Sequence, residues 1–132
     1  MSTFNSVEEA IDYFKNDKFA YNNGMTLEDL GEDYSVCTME LDERHLNANG
    51  GIMGGVMFTL ADFAFAALSN NIHRPTVAQQ VSINYLAAPK GKTLKARAAL
   101  IKSGRSSTRI QVKITDETGR EIALFTGTGF KL

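Results

Sequence analysis

Apolar positions follow two different periods along this chain. Near the N-terminus Val7, Ala10, Ile11 and Phe14 fall on one helical face, and Ser6 followed by Glu9 has the spacing of a capping box. A short amphipathic helix lying on something larger is predicted there. A looser stretch follows, with Asn22, Asn23 and Gly24 as turn residues. Residues 33–41 (DYSVCTMEL) read as a strand, residues 44–55 as a Gly/Asn-rich loop, and residues 56–70 as a long helix, apolar nearly all round. Such a helix must be enclosed. After Pro75 the period becomes two. Val77, Gln79, Val81, Ile83 and Tyr85 alternate with Ala78, Gln80, Ser82, Asn84 and Leu86, and further alternating runs begin at Leu94, Ile110 and Ile122.

The turns PKGK, SGRS and TDETGR separate these runs and predict hairpins, hence a meandering antiparallel sheet with one apolar and one polar face. The element order is helix, one or two strands, long helix, four strands. An α+β fold is expected, with one curved sheet wrapped around the long helix. Covering the rest of that helix calls for a second copy of the protein.

Composition narrows the picture. The 132 residues make one domain by length, 1–132, with 43% hydrophobic and 22% charged residues, as in an ordinary globular protein. A net charge of −1 gives no electrostatic reason to expect nucleic acid or an anionic membrane as partner. The apolar run after Gly55 is shorter than the ~20 residues a bilayer span needs, and no signal peptide is visible. Cys37 is the only cysteine, so a reducing, cytoplasmic compartment is expected.

The stretch NANGGIMGGVMFTLADFAFAALSN holds the candidate chemistry. Gly54 and Gly55 stand at the helix start, where N–H groups lack intrahelical partners and the helix dipole is positive. Bare backbone there suits close approach of an oxygen that gains charge, or simply a tight turn. Asp62 is a carboxylate inside the most apolar segment, where a charge is either paired with a base or functional. Asn47 can donate from its amide or cap the loop, and Thr59 can bond Asp62 or its own helix backbone. His45 and His73 have no second ligand at a metal spacing and read as surface or loop residues. Cys37 reads as core packing, and GGIMGG lacks the Gly-Lys-Ser/Thr of a Walker loop. Lys90, Lys92, Lys102, Arg105 and Arg109 gather around two turns, as a solvated edge or an anion contact.

HLNANGGIMGGVMFTLADFAFAA resembles the hot-dog fold acyl-CoA thioesterases of the phenylacetate-pathway (PaaI-like) type, whose signature is N-x-x-G-x-x-H-G-G followed by L-x-D. Asn47, Gly50, Gly54, Gly55, Leu60 and Asp62 match, and Met53 stands where the family has histidine. The resemblance implies hydrolysis of a medium-chain or aryl-acyl thioester to free acid and CoA. Asp62 would be nucleophile or general base, Gly54 the oxyanion donor, and Asn47 would orient the carbonyl. Met53, Gly55, Thr59, Lys90 and Arg105 would line the acyl-CoA site, the two cations near the CoA phosphates. Neither metal nor cofactor is implied beyond CoA as part of the substrate. Asp62 lies about two helical turns beyond Gly54, so a homodimer with sites shared between chains is expected, and a homotetramer by analogy. Two other readings stand beside it. One is a hot-dog protein that holds acyl-CoA without turnover, which Met53 makes credible. The other is a hydratase or dehydratase, which would need a histidine where Ala67 or Met53 stands.

Overall fold

The computed structural model describes residues 2–132. Helix α1, Val7–Phe14, starts at Ser6, whose Oγ accepts from the Glu9 N–H at 3.1 Å. The Glu9 carboxylate reaches one residue past the cap, accepting from the Asn5 N–H. Ala10 and Phe14 are the buried face of this helix. The stretch expected to be loose holds two elements. Helix α2, Lys18–Asn22, is capped by Asp17, and strand β1 spans Thr26–Leu30. Five residues are too few to display a helical period, and only Ala20 of α2 is buried. Strand β1 hides its alternation because a bulge between Leu27 and Asp29 lets Leu27 and Leu30, three apart, share the inner face.

Strand β2, Tyr34–Glu40, alternates as expected, with Ser35, Cys37 and Met39 buried. Helix α3 spans Gly54–Ile72, two residues longer at each end than its apolar run. Strands β3 (Thr76–Tyr85), β4 (Thr93–Ser103), β5 (Ser107–Asp116) and β6 (Glu121–Lys131) complete the chain. All six strands form one antiparallel sheet in the order β1-β2-β4-β5-β6-β3.

This order corrects one expectation. PKGK does not join a hairpin, because β3 pairs with β6 and β4 pairs with β2. The link of residues 86–92 must cross three strand spacings, roughly 14–15 Å, and its seven residues reach up to ~23 Å. A bulge between Ala78 and Gln80 also breaks the alternation of β3, leaving Val77 47% exposed while Val81 and Ile83 stay against the core.

Helix α3 lies in the concave face of the sheet. Leu60, Ala61, Ala64, Ala67 and Leu68 are fully buried, and the Ser35 hydroxyl donates to the Ala64 carbonyl at 2.7 Å, tying helix to sheet. Gly127 shows how close the two layers come: a Cβ there would lie 2.9 Å from the Phe65 ring. Enclosure of the helix is incomplete. Gly55, Thr59, Asp62, Ala66 and Asn70, at helical spacing, form a stripe that the chain itself leaves partly open.

Candidate active site

The loop before α3 is built to fix where the helix begins. A 3-10 turn, Glu43–His45, starts it, with Asp42 and His45 as a reciprocal cap. His45 lies in this loop but is only 1% exposed, which corrects the surface half of its reading. Its Nδ1 accepts from the Asp42 N–H at 3.0 Å, so the proton sits on Nε2, which donates to the Asn23 carbonyl at 3.2 Å. Imidazole thus serves as an internal brace between the loop and α2. The His45 carbonyl accepts from the Met53 N–H at 2.9 Å, and Leu46 bridges Ile52, closing the loop at its base.

Asn47 divides its side chain between the two roles the sequence left open. Its Oδ1 accepts from the Asn49 and Gly51 N–H groups at 2.9 and 3.1 Å, so the oxygen caps the loop. Its NH2 has no partner among the described residues and remains a donor on the exposed side. Gly50 adopts φ +83°, the left-handed turn that lets the chain double back.

Met53 caps α3 without a side-chain hydrogen bond, and its carbonyl accepts from the Val56 N–H. The N–H groups of Gly54 and Gly55 have no acceptor among the described residues. Met53 is 55% exposed and folds back, its Cε 3.5 Å from where a side chain on Gly55 would begin. On the other side stands Tyr85, which the sequence marked only as a strand residue. Its ring Cζ and Oη lie 3.1 and 3.3 Å from the Cβ position of Gly54. The sheet order brings it there, since β3 ends beside the start of α3.

Asp62 sits half-buried on the open stripe and makes no hydrogen bond or ion pair among the described residues. Partial burial, and then the charge of Asp17, raise its pKa from the ordinary aspartate value. The salt-bridge reading therefore has no basic partner. Thr59 donates to the Gly55 carbonyl at 2.7 Å instead of to Asp62. Ala67, where a dehydratase histidine would stand, is fully buried.

Two candidate groups stay apart. Asp62 lies eight residues beyond Gly54 in an uninterrupted helix, ~12 Å along its axis. Lys90 and Arg105, both exposed, flank opposite ends of β4, whose 11 residues span roughly 33 Å. The link carrying Lys90 borders the 46–52 loop across a cleft of about 270 Å³, whereas Arg105 is in the turn next to His73, at the C-terminal end of α3. Cys37 is fully buried, and burial pushes its thiol pKa up, as expected of a packing residue.

Residues 49–123 match the family model of the thioesterase superfamily. The acyl-coenzyme A thioesterase PaaI of Escherichia coli is 29% identical over 120 residues, 90% of this chain and 86% of its own. The solved structure of E. coli PaaI superposes with a TM-score of 0.88 at 26% identity, covering 96% of both chains. A hypothetical thioesterase protein of Streptococcus pneumoniae, solved with coenzyme A, gives 0.81 at 29% identity over 89% of this chain and 94% of that one. Sequence motif, sheet order and these likenesses agree: the chain belongs to the thioesterase superfamily, as a PaaI-like thioester hydrolase of the hot-dog fold.

Proposed function

We propose that the protein hydrolyses acyl-CoA thioesters, medium-chain or aryl, to a carboxylic acid and CoA, at two sites shared across a homodimer. The observation that carries this reading is the pairing of two features on α3. One is a bare helix start with two unpaired N–H donors, and the other is a half-buried, unpartnered carboxylate on the open stripe. The names of the E. coli and S. pneumoniae relatives support coenzyme A as the substrate's carrier.

The thioester carbonyl oxygen would accept from Gly54, helped by Gly55 and the free amide of Asn47. These donors are fixed before the charge develops, which is what favours the transition state over the ground state. Asp62 takes a proton from water as the water oxygen bonds to the carbonyl carbon, or attacks that carbon itself. Direct attack expels the CoA thiolate, which takes a proton from solvent, and leaves a mixed anhydride that water hydrolyses to the acid and free Asp62. On the water route the C–S bond then breaks, and the CoA sulfur leaves with the proton held by Asp62. Thr59 and Met53 would line the approach, and Lys90 and Arg105, at opposite ends of β4, would meet the phosphates of one CoA only from different protomers. No step calls on a metal or redox cofactor. Antiparallel packing of two α3 stripes brings Gly54 of one protomer to Asp62 of the other, and pairing of two such dimers gives the tetramer. The unpaired, buried Cys37 suits a cytoplasmic setting.

The test is release of free thiol from short, medium, long and aryl acyl-CoAs. At least one should be hydrolysed, and Asp62→Asn should lower kcat by about 100-fold while substrate still binds. Silence across the panel with CoA binding retained would leave a protein that only holds acyl-CoA. Near-normal turnover by folded Asp62→Asn would remove Asp62 from the mechanism.

A further inference from the structure

We propose that an apolar cavity roofed by α1 and α2 receives the tail of a straight-chain acyl group and excludes an aryl ring. Its walls are Ile11, Phe14, Tyr21, Met25, Leu27 and Phe63, with only Lys15 and Thr26 as polar neighbours. It rests on the acyl-CoA reading above and names the substrate class within it.

Three observations support an acyl tail as occupant. The first is position. Phe63, which lines it, directly follows Asp62 in α3, and Tyr21 on its rim belongs to α2, whose cap Asp17 disfavours the charge of Asp62. A chain leaving a carbonyl held at Asp62 thus has this cavity beside it. The second is chemistry. An almost wholly apolar lining favours apolar atoms that displace water from it. Tyr21, 54% exposed, stands at its rim, so the cavity has a mouth that a side-chain movement can widen.

Size gives the third. The cavity measures about 60 Å³, room for roughly two methylene-sized groups at ~25–30 Å³ each. An engineered apolar cavity that takes up benzene measures about 150 Å³, more than twice as much. A flexible alkyl end fits the smaller space, and a phenyl ring does not. The medium-chain option is therefore favoured over the aryl one.

The experiment compares kcat/KM for straight-chain acyl-CoAs from acetyl to dodecanoyl, and for phenylacetyl-CoA, in wild type, Ile11→Phe and Tyr21→Ala. Wild type should favour a straight chain over phenylacetyl by about tenfold or more, the discrimination a few methylenes give in an apolar pocket. Ile11→Phe, at a half-buried position that tolerates the larger ring, should move the optimum to shorter chains by about two carbons. Acetyl-CoA turnover should stay within about twofold, because acetyl does not reach the cavity. Tyr21→Ala should improve phenylacetyl-CoA. The same chain-length profile in all three proteins, or phenylacetyl-CoA as the best wild-type substrate, would overturn the proposal. Loss of all hydrolysis would sink the thioesterase reading separately. In that case titration calorimetry with the same acyl-CoAs decides the cavity's role: chain-dependent affinity lost in Ile11→Phe supports it, and equal affinities overturn it.

Discussion

Asp62 combines partial burial, a neighbouring carboxylate at Asp17 and the lack of any basic partner among the described residues. All three disfavour its charged form, so it loses its proton at higher pH than an ordinary aspartate. As a base or nucleophile it works only when ionised. Activity should therefore rise with pH on an acid limb set above the ordinary carboxylate value of about 3.9. Asp17→Asn keeps a good α2 cap and removes the repulsion, so the limb in kcat/KM should move to lower pH. A limb that does not move would show that Asp17 does not act on Asp62. Much of this scale was legible beforehand, since a carboxylate in an apolar run and glycines at a helix start are local signals. Tyr85 and the buried brace His45 were not, because their roles come from residues 31 and 22 positions away, Gly54 and Asn23.

At the scale of elements, the 86–92 link and the β5–β6 turn hold each other. Asp116 is 4% exposed, and its Oδ2 accepts from the Lys90 and Gly91 N–H groups. Its Oδ1 accepts from the Thr118 N–H and hydroxyl and from the Arg120 N–H. Glu117 accepts from the N–H of Lys92, the last residue of the link, and from that of Thr93, which opens β4. These bonds, that of Thr118 foremost, hold the Asp116 carboxyl far below the usual range. A carboxylate depressed by folding stabilises above its unfolded value, and that stabilisation is lost as pH falls through the folded value. Asp116→Ala should lower Tm by roughly 5 °C or more at neutral pH, since several donors lose their acceptor. The deficit should narrow as pH drops below about 4. An equal deficit at pH 7 and pH 3 would mean that the charge of Asp116 is not what secures the link. The network explains why the sequence misplaced this link. TDETGR and PKGK each read as a hairpin turn by composition, while only their distant contact shows that one is a crossover. Helix α3 and the buried alternation of β5 and most of β4 were legible. In β6 a register shift at Ile122 turns Ala123 and Phe125 inward and leaves Leu124 half-buried and Phe130 exposed, which corrects the alternation expected from Ile122. Strand β1 and the first half of β3 were masked by bulges, and α2 by its shortness.

At the scale of the whole molecule, one chain buries most of α3 and leaves the stripe from Gly55 to Asn70 partly open. Strand β3 has β6 on one side only, so its other edge has no partner strand within the chain. A helix apolar nearly all round is the sequence's ground for proposing a second copy, and the ~12 Å between Gly54 and Asp62 adds a chemical reason to propose it. A base within about 3–3.5 Å of a carbonyl and donors about 3 Å from the same group's oxygen cannot both lie on one straight helix two turns apart. Mixing two inactive chains tests this most directly. An Asp62→Asn chain keeps its donors, and a Gly54→Val chain keeps its carboxylate while its donor is blocked. After each is shown to be folded and nearly inactive alone, the two are re-paired and thiol release is measured. One sound site per mixed dimer should restore up to about a quarter of wild-type activity when half the dimers are mixed. No recovery, with mixed dimers shown to form, would mean that both groups serve one substrate from the same chain, and the shared-site account would be wrong.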